Sequence, residues 1–236
     1  SVLPIIVVGV WLGILAAKNH NNIIDQTARV FALVGWSFPT FVFALLVLMI
    51  FYAKLGWFPP GRLSDWAQRI VMSPEFHQYT KLHTVDSLLN LRMDIFWDAL
   101  RHLVLPVITL CYIQWAMLLR LTRSSMLEAL GQDYMTTARA KGLPERTVTN
   151  KHALPNALIP VVTVGGLTVV GLISGVVITE TIFNIPGMGR AAAEAAQNLD
   201  VLTAVAFTMF SAVLLILANL VTDILYAFLD PRVRLH

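Results

Sequence analysis

Between two long apolar runs lies Asp133–Pro160, DYMTTARAKGLPERTVTNKHALPNALIP, the stretch whose residue types can do work. It is longer, more basic and more patterned than a connection between membrane spans requires, and it reads as a docking surface for a soluble partner. The chemistry it offers is non-covalent. The chain has no G-x-x-x-x-G-K-[ST] loop to cradle phosphates, no H-E-x-x-H, no G-x-S-x-G and no paired His/Cys spacing. His77 and His83 stand six residues apart and read as surface histidines rather than metal ligands. No catalytic residue, no metal site and no cofactor is therefore expected on this chain.

The pattern inside the stretch is helical. Leu127, Leu130, Tyr134 and Ala138 recur at intervals of three, four and four, which predicts one helical face, with Asp133, Arg139 and Lys141 off it. Gly142 suits the residue after a helix end, and Pro144 with Glu145 suits the next first turn. The spacing predicts two short helices with a sharp bend between them, bounded by Pro155. Such a unit either lies on lipid headgroups as an amphipathic helix or protrudes into a partner's groove.

The elements that must position this stretch belong to a bilayer. The chain has 236 residues, 57% hydrophobic and only 13% charged, with mean hydropathy +0.70. Soluble domains carry about 25% charged residues, and the deficit points to an all-α integral membrane protein. The net charge of +3 is spread over loops, which does not suit nucleic acid. The single Cys111 lies in an apolar run and supports neither a disulfide nor a cysteine metal cluster. Five apolar segments predict five spans: 2–17, about 30–53, about 103–119, about 157–182 and about 201–229. The first reads as a true span whose start has been cut, not as a signal peptide.

Lysine and arginine set the orientation. Arg120, Arg123, Arg139, Lys141, Arg146 and Lys151 cluster in one segment, Lys18 and Arg29 in the first loop, and Arg232 and Arg234 in the tail. Placing those three regions in the cytosol gives a consistent alternation and a cytosolic C-terminus. The whole of 1–236 reads as one transmembrane domain, with an outer loop at about 55–101 and a cytosolic loop at about 120–155. A cytosolic start then needs one more span upstream, so the chain is expected to be a fragment of a six-span protein.

At this point the residues resemble a family. Gly142 followed by Leu154-Pro155 twelve and thirteen residues later matches the EAA-loop spacing of ABC-importer permeases. YMTTARAKGL followed by HALPNALIPVVT resembles the dipeptide/oligopeptide (peptide/nickel) branch, as do LGWFPPGR at 55–62, ETIFNIPGMGR at 180–190 and DILYAFLDPR at 223–232. The order of motifs and the DPR ending look like the B-type subunit. The Glu-Ala-Ala position is Thr136-Thr137-Ala138 here, His152 stands where the general motif has Ile, and Pro155 stands where this branch often has Arg. Glu128-Ala129-Leu130-Gly131 is a decoy, with its Gly only three residues after the Glu.

The resemblance implies the type I ABC-importer transmembrane fold in a multi-pass protein of the prokaryotic inner or plasma membrane. It implies a second (C-type) permease subunit, two cytosolic ATPase subunits that carry ATP and Mg, and an extracytoplasmic substrate-binding protein. A coupling helix would dock on an ATPase through Asp133, Tyr134, Thr136, Thr137, Ala138, Arg139, Ala140, Lys141, Gly142 and Leu143, with His152 and Pro155 beyond. Arg139 and Lys141 either meet acidic ATPase residues or simply anchor the cytosolic side. The implied cargo is di- or oligopeptide, with nickel complexes and glutathione as alternatives within the branch. An ATP-independent secondary transporter is the alternative of another class, but it would want intramembrane carboxylates, in which the spans are poor, and inverted repeats, of which the sequence shows no convincing case.

Within the spans, Gln114, Thr208, Ser211 and Asn219 are candidates for a pathway, because burying polar groups in lipid is costly. Thr and Ser have the plainer alternative of bonding their own helix backbone, and Asp223 that of pairing with a basic group near the interface. Gly171 and Gly175 form a small-x-x-x-small pair suited to close helix packing, and Pro39, Pro106 and Pro160 should kink or break their helices. The family likeness assigns Glu180, Pro186, Gly187 and Arg190 to an outer gate region. Trp57, Phe58 and Trp66 suit an interfacial belt.

Overall fold

A computed structural model describes residues 1–229, with side chains through 225; Asp230 to His236, including the DPR motif and Arg232 and Arg234, lie outside the described residues. The described residues are helical and contain no strand. In chain order they form α1 (Val2–Lys18), α2 (Ile23–Ser37), α3 (Thr40–Val47) with a π-helical extension (Leu48–Lys54), α4 (Asp65–Val71), α5 (His83–Leu89) and α6 (Met93–Leu130). Then follow α7 (Asp133–Ala140), α8 (Glu145–Thr147), a π-helical segment (Val148–Ala153), α9 (Leu154–Ser174), α10 (Val177–Ile182), α11 (Met188–Gln197) and α12 (Val201–Leu229).

Three stretches are long and apolar enough to cross a membrane alone: Met93–Leu130, Glu145–Ser174 and Val201–Leu225. A fourth arises if α2 and α3 with its extension make one broken span, and α1, with 17 residues, is shorter. The second apolar segment is therefore not one continuous helix. Phe38 is extended (ψ 123°) because it precedes Pro39, and the helix restarts at Thr40. The fourth segment stops at Ser174, where Gly175 has φ +110°. Proline has uneven effects: Pro106 and Pro160 lie inside α6 and α9 without ending them. Nor does Pro155 bound a helix. The π turn just before it accommodates a residue with no N–H to donate, and the helix runs on to Ser174.

The chain divides into two units: residues 1–38, 111–174 and 195 onward, and residues 39–110 with 175–194. In the first unit, glycines let helices approach. A Cβ on Gly9 would sit 2.8 Å from Leu118 Cβ, one on Gly13 2.5 Å from Thr122 Cβ, and one on Gly35 2.8 Å from Ala116 Cβ, so α1 and α2 press against α6. The small-x-x-x-small pair that the fold uses is thus Gly9 and Gly13. Gly171 meets nothing within 4 Å, and Gly175 lies outside the helix. Trp115 Nε1 donates to Pro4 O at 2.8 Å, and Arg123 reaches the fully buried Asp25 through Nε (2.5 Å) and Nη2 (2.8 Å). On α12, Thr222 sits where Gly166 of α9 leaves room.

The second unit has two apolar clusters. Ala44, Val47, Leu105 and Phe183 form one; Leu63, Ala67, Val71, Phe76, Ile95 and Ala99 form the other. The residues read as an outer loop are structured: α4 and α5 lie within them, and α6 already starts at Met93. Ser64 ties this region to α6 by donating from N (2.8 Å) and Oγ (2.6 Å) to Asp98. Burial alone would raise the Asp86 carboxyl, but donation from Thr80 N and Oγ1 (both 2.8 Å) holds it below its ordinary value.

Two measurements check this packing. Gly13→Val should cost about 1–3 kcal/mol and lower the thermal midpoint in detergent, whereas Gly171→Ala, in open space, should leave it nearly unchanged. Because the Asp86 pKa is lowered on folding, its stabilisation is complete above its unfolded value of about 3.9 and is lost as pH falls through the folded value. Asp86→Asn should therefore speed amide exchange over residues 77–92 at neutral pH, with the difference fading below about pH 4.

Candidate functional site

The docking stretch is built from a turn, a short helix and a second turn. Helix α6 ends at Leu130, and the chain turns at Gly131-Gln132 before α7 begins. The predicted continuous face through Leu127, Leu130, Tyr134 and Ala138 is therefore split between two helices. Met135 and Ala138 are the buried residues of α7, while Tyr134 is 42% exposed. They join Ala17, Met126, Ala129, Val148, Ala153 and Ala157 in one cluster, with Leu127 and Leu130 packed against it.

The end of α7 is a Schellman motif. Gly142 takes φ +73°, its N–H donates to Arg139 O (2.9 Å), and Leu143 N–H donates to Ala138 O (3.4 Å). A side chain here would have room, since nothing lies within 4 Å of its Cβ, so the demand for glycine is conformational. Pro144 then starts the next helix, as the spacing predicts. Arg139 forks onto Glu145 across the bend (Nη2–Oε1 2.9 Å, Nε–Oε2 3.2 Å), so within this chain its partner is local. Tyr134 Oη accepts from Asn156 Nδ2 (3.2 Å).

The predicted docking residues fall into two groups. Asp133, Tyr134, Thr136, Thr137, Arg139, Ala140, Lys141, Gly142 and Leu143 are exposed and contiguous; Ala138 among them is buried and anchors the helix. His152 and Pro155 are half-buried and lie in and just beyond the π turn, off this knuckle.

The second unit brings together the residues assigned to an outer gate. Glu180 is buried, and its Oε1 accepts from Val176 N (3.0 Å) and its Oε2 from Arg190 N (2.6 Å), so it caps the first turn of α11. A Cβ on Gly187 would run into the Glu180 carboxylate and push it off the two amides from which it accepts, so glycine leaves room for this cap. Gly175 and Gly189 touch backbone to backbone in the same way. Arg190 extends to Glu194 (2.8 Å) and Asn184 (3.0 Å), and with Pro186 it lines a cavity of about 730 Å³ whose wall mixes Arg62, Asp65 and His83 with Leu63, Val71 and Met72.

The pathway candidates are not assembled. Thr208 donates to Ala204 O of its own helix (2.9 Å), the plainer of its two expected roles. Gln114 and Ser211 are half-buried and Asn219 is exposed, with no hydrogen bond joining any of the four among the described residues. Asp223, likewise exposed, has no ion-pair partner among the described residues. Sequence reasoning missed the Asp25–Arg123 pair, although an acidic residue at the start of an apolar helix was a visible signal. It also missed Met135, whose burial follows from a turn that periodicity alone does not reveal. No group of three or more His, Cys, Asp or Glu able to hold a metal occurs among the described residues.

Comparison with known proteins gives the family. A family described as "Binding-protein-dependent transport system inner membrane component" matches residues 9–235. The probable D,D-dipeptide transport system permease protein DdpB of Escherichia coli (strain K12) is 40% identical over 234 residues, 99% of this chain and 67% of that protein. The di/tripeptide transport system permease protein DppB of Pseudomonas aeruginosa (strain UCBPP-PA14) is 41% identical, over 96% of this chain and 66% of its own length. The oligopeptide transport system permease protein AppB of Bacillus subtilis (strain 168) is 37% identical, over 99% and 66%. The chain thus spans about two thirds of the length of these relatives. A helical, apolar chain matched from residue 9 to residue 235 belongs to the family of inner membrane components of binding-protein-dependent transport systems.

Proposed function

We propose that this chain is the membrane-spanning permease subunit of an ATP-driven importer of di- or oligopeptides, and that α7 is its coupling helix. The observation that carries the reading is the exposed Asp133–Leu143 knuckle, fixed from behind by Met135 and Ala138 and closed by a Schellman glycine. A loop needs no such anchoring merely to join two spans. Relatives at 37–41% identity are named as dipeptide, di/tripeptide and oligopeptide permeases, which supports the cargo class.

In this reading the five apolar segments act as spans of a type I importer fold within a six-span protein, and 1–236 is a single permease domain. Residues 120–155 and the C-terminus face the cytosol. Residues 55–101 face the binding protein, and Glu180, Pro186, Gly187 and Arg190 shape the outer side of the pathway. Two ATPase subunits, carrying ATP and Mg, close and draw α7 and its counterpart in a C-type permease together. The Arg139–Glu145 fork stiffens the bend so that displacement of α7 is passed to the helix beginning at Glu145. Exposed pairs contribute only about 0–1 kcal/mol each, so Arg139 acts chiefly by shape, while Lys141 is the basic residue of α7's end left facing outward.

The reconstituted complex with its binding protein tests this. Peptides should stimulate ATPase activity, while glutathione or chelated nickel should not. Gly142→Asp adds a modest left-handed strain, which Asp tolerates better than most residues, and a charge and side chain at the knuckle. It should leave insertion intact and reduce peptide-driven transport at least about tenfold, a change of roughly 1.4 kcal/mol or more in coupling. Normal transport by this variant would remove α7 from the coupling role.

A further inference from the structure

Three arginines surround one cavity of about 320 Å³ between α2 and α6. Arg123 is committed to the buried Asp25, which Arg29 also approaches at 4.0 Å. Arg120 lies over the Trp36 ring, 4.9 Å from its centroid. One carboxylate against three guanidinium groups leaves two positive charges uncompensated among the described residues. Beside them stand Leu33, 66% exposed, and Trp36, 55% exposed. The cavity therefore offers charge-assisted donors at its head and bare apolar surface along its flank.

That combination selects an amphiphile. A free anion would satisfy the guanidinium groups and leave Leu33 and Trp36 uncovered. An uncharged chain would cover those two and leave the charges unmatched. A phosphodiester carrying acyl chains does both, because Arg pairs with phosphate oxygens in a planar, bidentate manner and a tryptophan sits well at the level of headgroups. The two helices belong to an inner membrane component, where such a molecule is the solvent itself. Basic pockets between membrane helices are suited to anionic headgroups. We infer that Arg29, Arg120 and Arg123, with Trp36 and Leu33, form a binding site for an anionic phospholipid. The inference needs only that α2 and α6 lie in a bilayer, and it stands whether or not peptide is the cargo.

Arg29 and Arg120 are the residues to change, since Arg123 must stay to neutralise buried Asp25. The purified permease assembly, stripped of lipid in mild detergent and titrated with phosphatidylglycerol or phosphatidylethanolamine, can be read by native mass spectrometry. The wild type should retain phosphatidylglycerol in preference, and Arg29→Gln with Arg120→Gln should weaken that retention roughly tenfold without changing retention of phosphatidylethanolamine. If the double variant fails to assemble, Arg29→Gln alone should give a smaller loss in the same direction. Leu33→Ser should weaken lipid retention through the apolar flank. Equal retention of the two lipids by the wild type, or unchanged preference in the variants, would overturn the site. Release of the lipid by millimolar inorganic phosphate would overturn the lipid assignment and leave a free-anion pocket in its place.

Discussion

A backbone amide or carbonyl released from a helix inside hydrocarbon has no water to turn to, so each interruption of a membrane helix must be closed from within the chain. Several breaks and ends of helices in this chain, within the apolar segments and beyond them, are closed by identifiable groups. At the Gly175–Val176 break, the Glu180 carboxylate takes up the amide of Val176 and reaches across to that of Arg190. After α7, two backbone amides fold back onto the last turn around Gly142. After the π-helical extension of α3, the carbonyls of Gly56 and Trp57 receive the Arg101 guanidinium. Polar side chains in this protein are spent largely on making departures from the helix tolerable.

The same constraint explains why some of the site was legible and some was not. Gly142, Pro144 and Glu145 announce a stop and restart through backbone preferences that hold in any surroundings, and the chain bends there. Apolar runs likewise mark helices wherever they occur. The turn at Gly131-Gln132 carries no such local imperative, so a periodic pattern ran straight through it and put Tyr134 on one face with Leu127 and Leu130, whereas Met135 is the residue that is buried. Pro155 misled in the opposite direction, because a π turn absorbs its missing donor. Small-residue pairs are ambiguous by nature. Gly9–Gly13 and Gly171–Gly175 look alike in the sequence, and only the partner surface distinguishes a packing seam from open space.

Arginine is used in three physically different ways. Arg123 neutralises a carboxylate that the packing of α2 has buried, an arrangement in which removing either member strands a charge. Arg120 spreads over an indole face. Arg139 bridges a bend in plain contact with solvent. Counted simply as positive residues, all three point to one side of a membrane, yet only their partners reveal that two of them border a cavity and the third braces a turn.

The π segment at Val148–Ala153 has a mechanical consequence. Its hydrogen bonds skip one residue further than their neighbours, so it stores an extra residue inside an otherwise regular rod of about 45 Å, at about 1.5 Å of rise per residue. Returning that residue to α-helical spacing would move everything beyond it by about 1.5 Å and rotate it by roughly 100°. Pro155 opposes the conversion, since at regular α-helical spacing its ring would crowd the carbonyl of Lys151, four residues back. The irregularity thus sets the size and the hand of the step that the rod beyond it would make if the π turn were released.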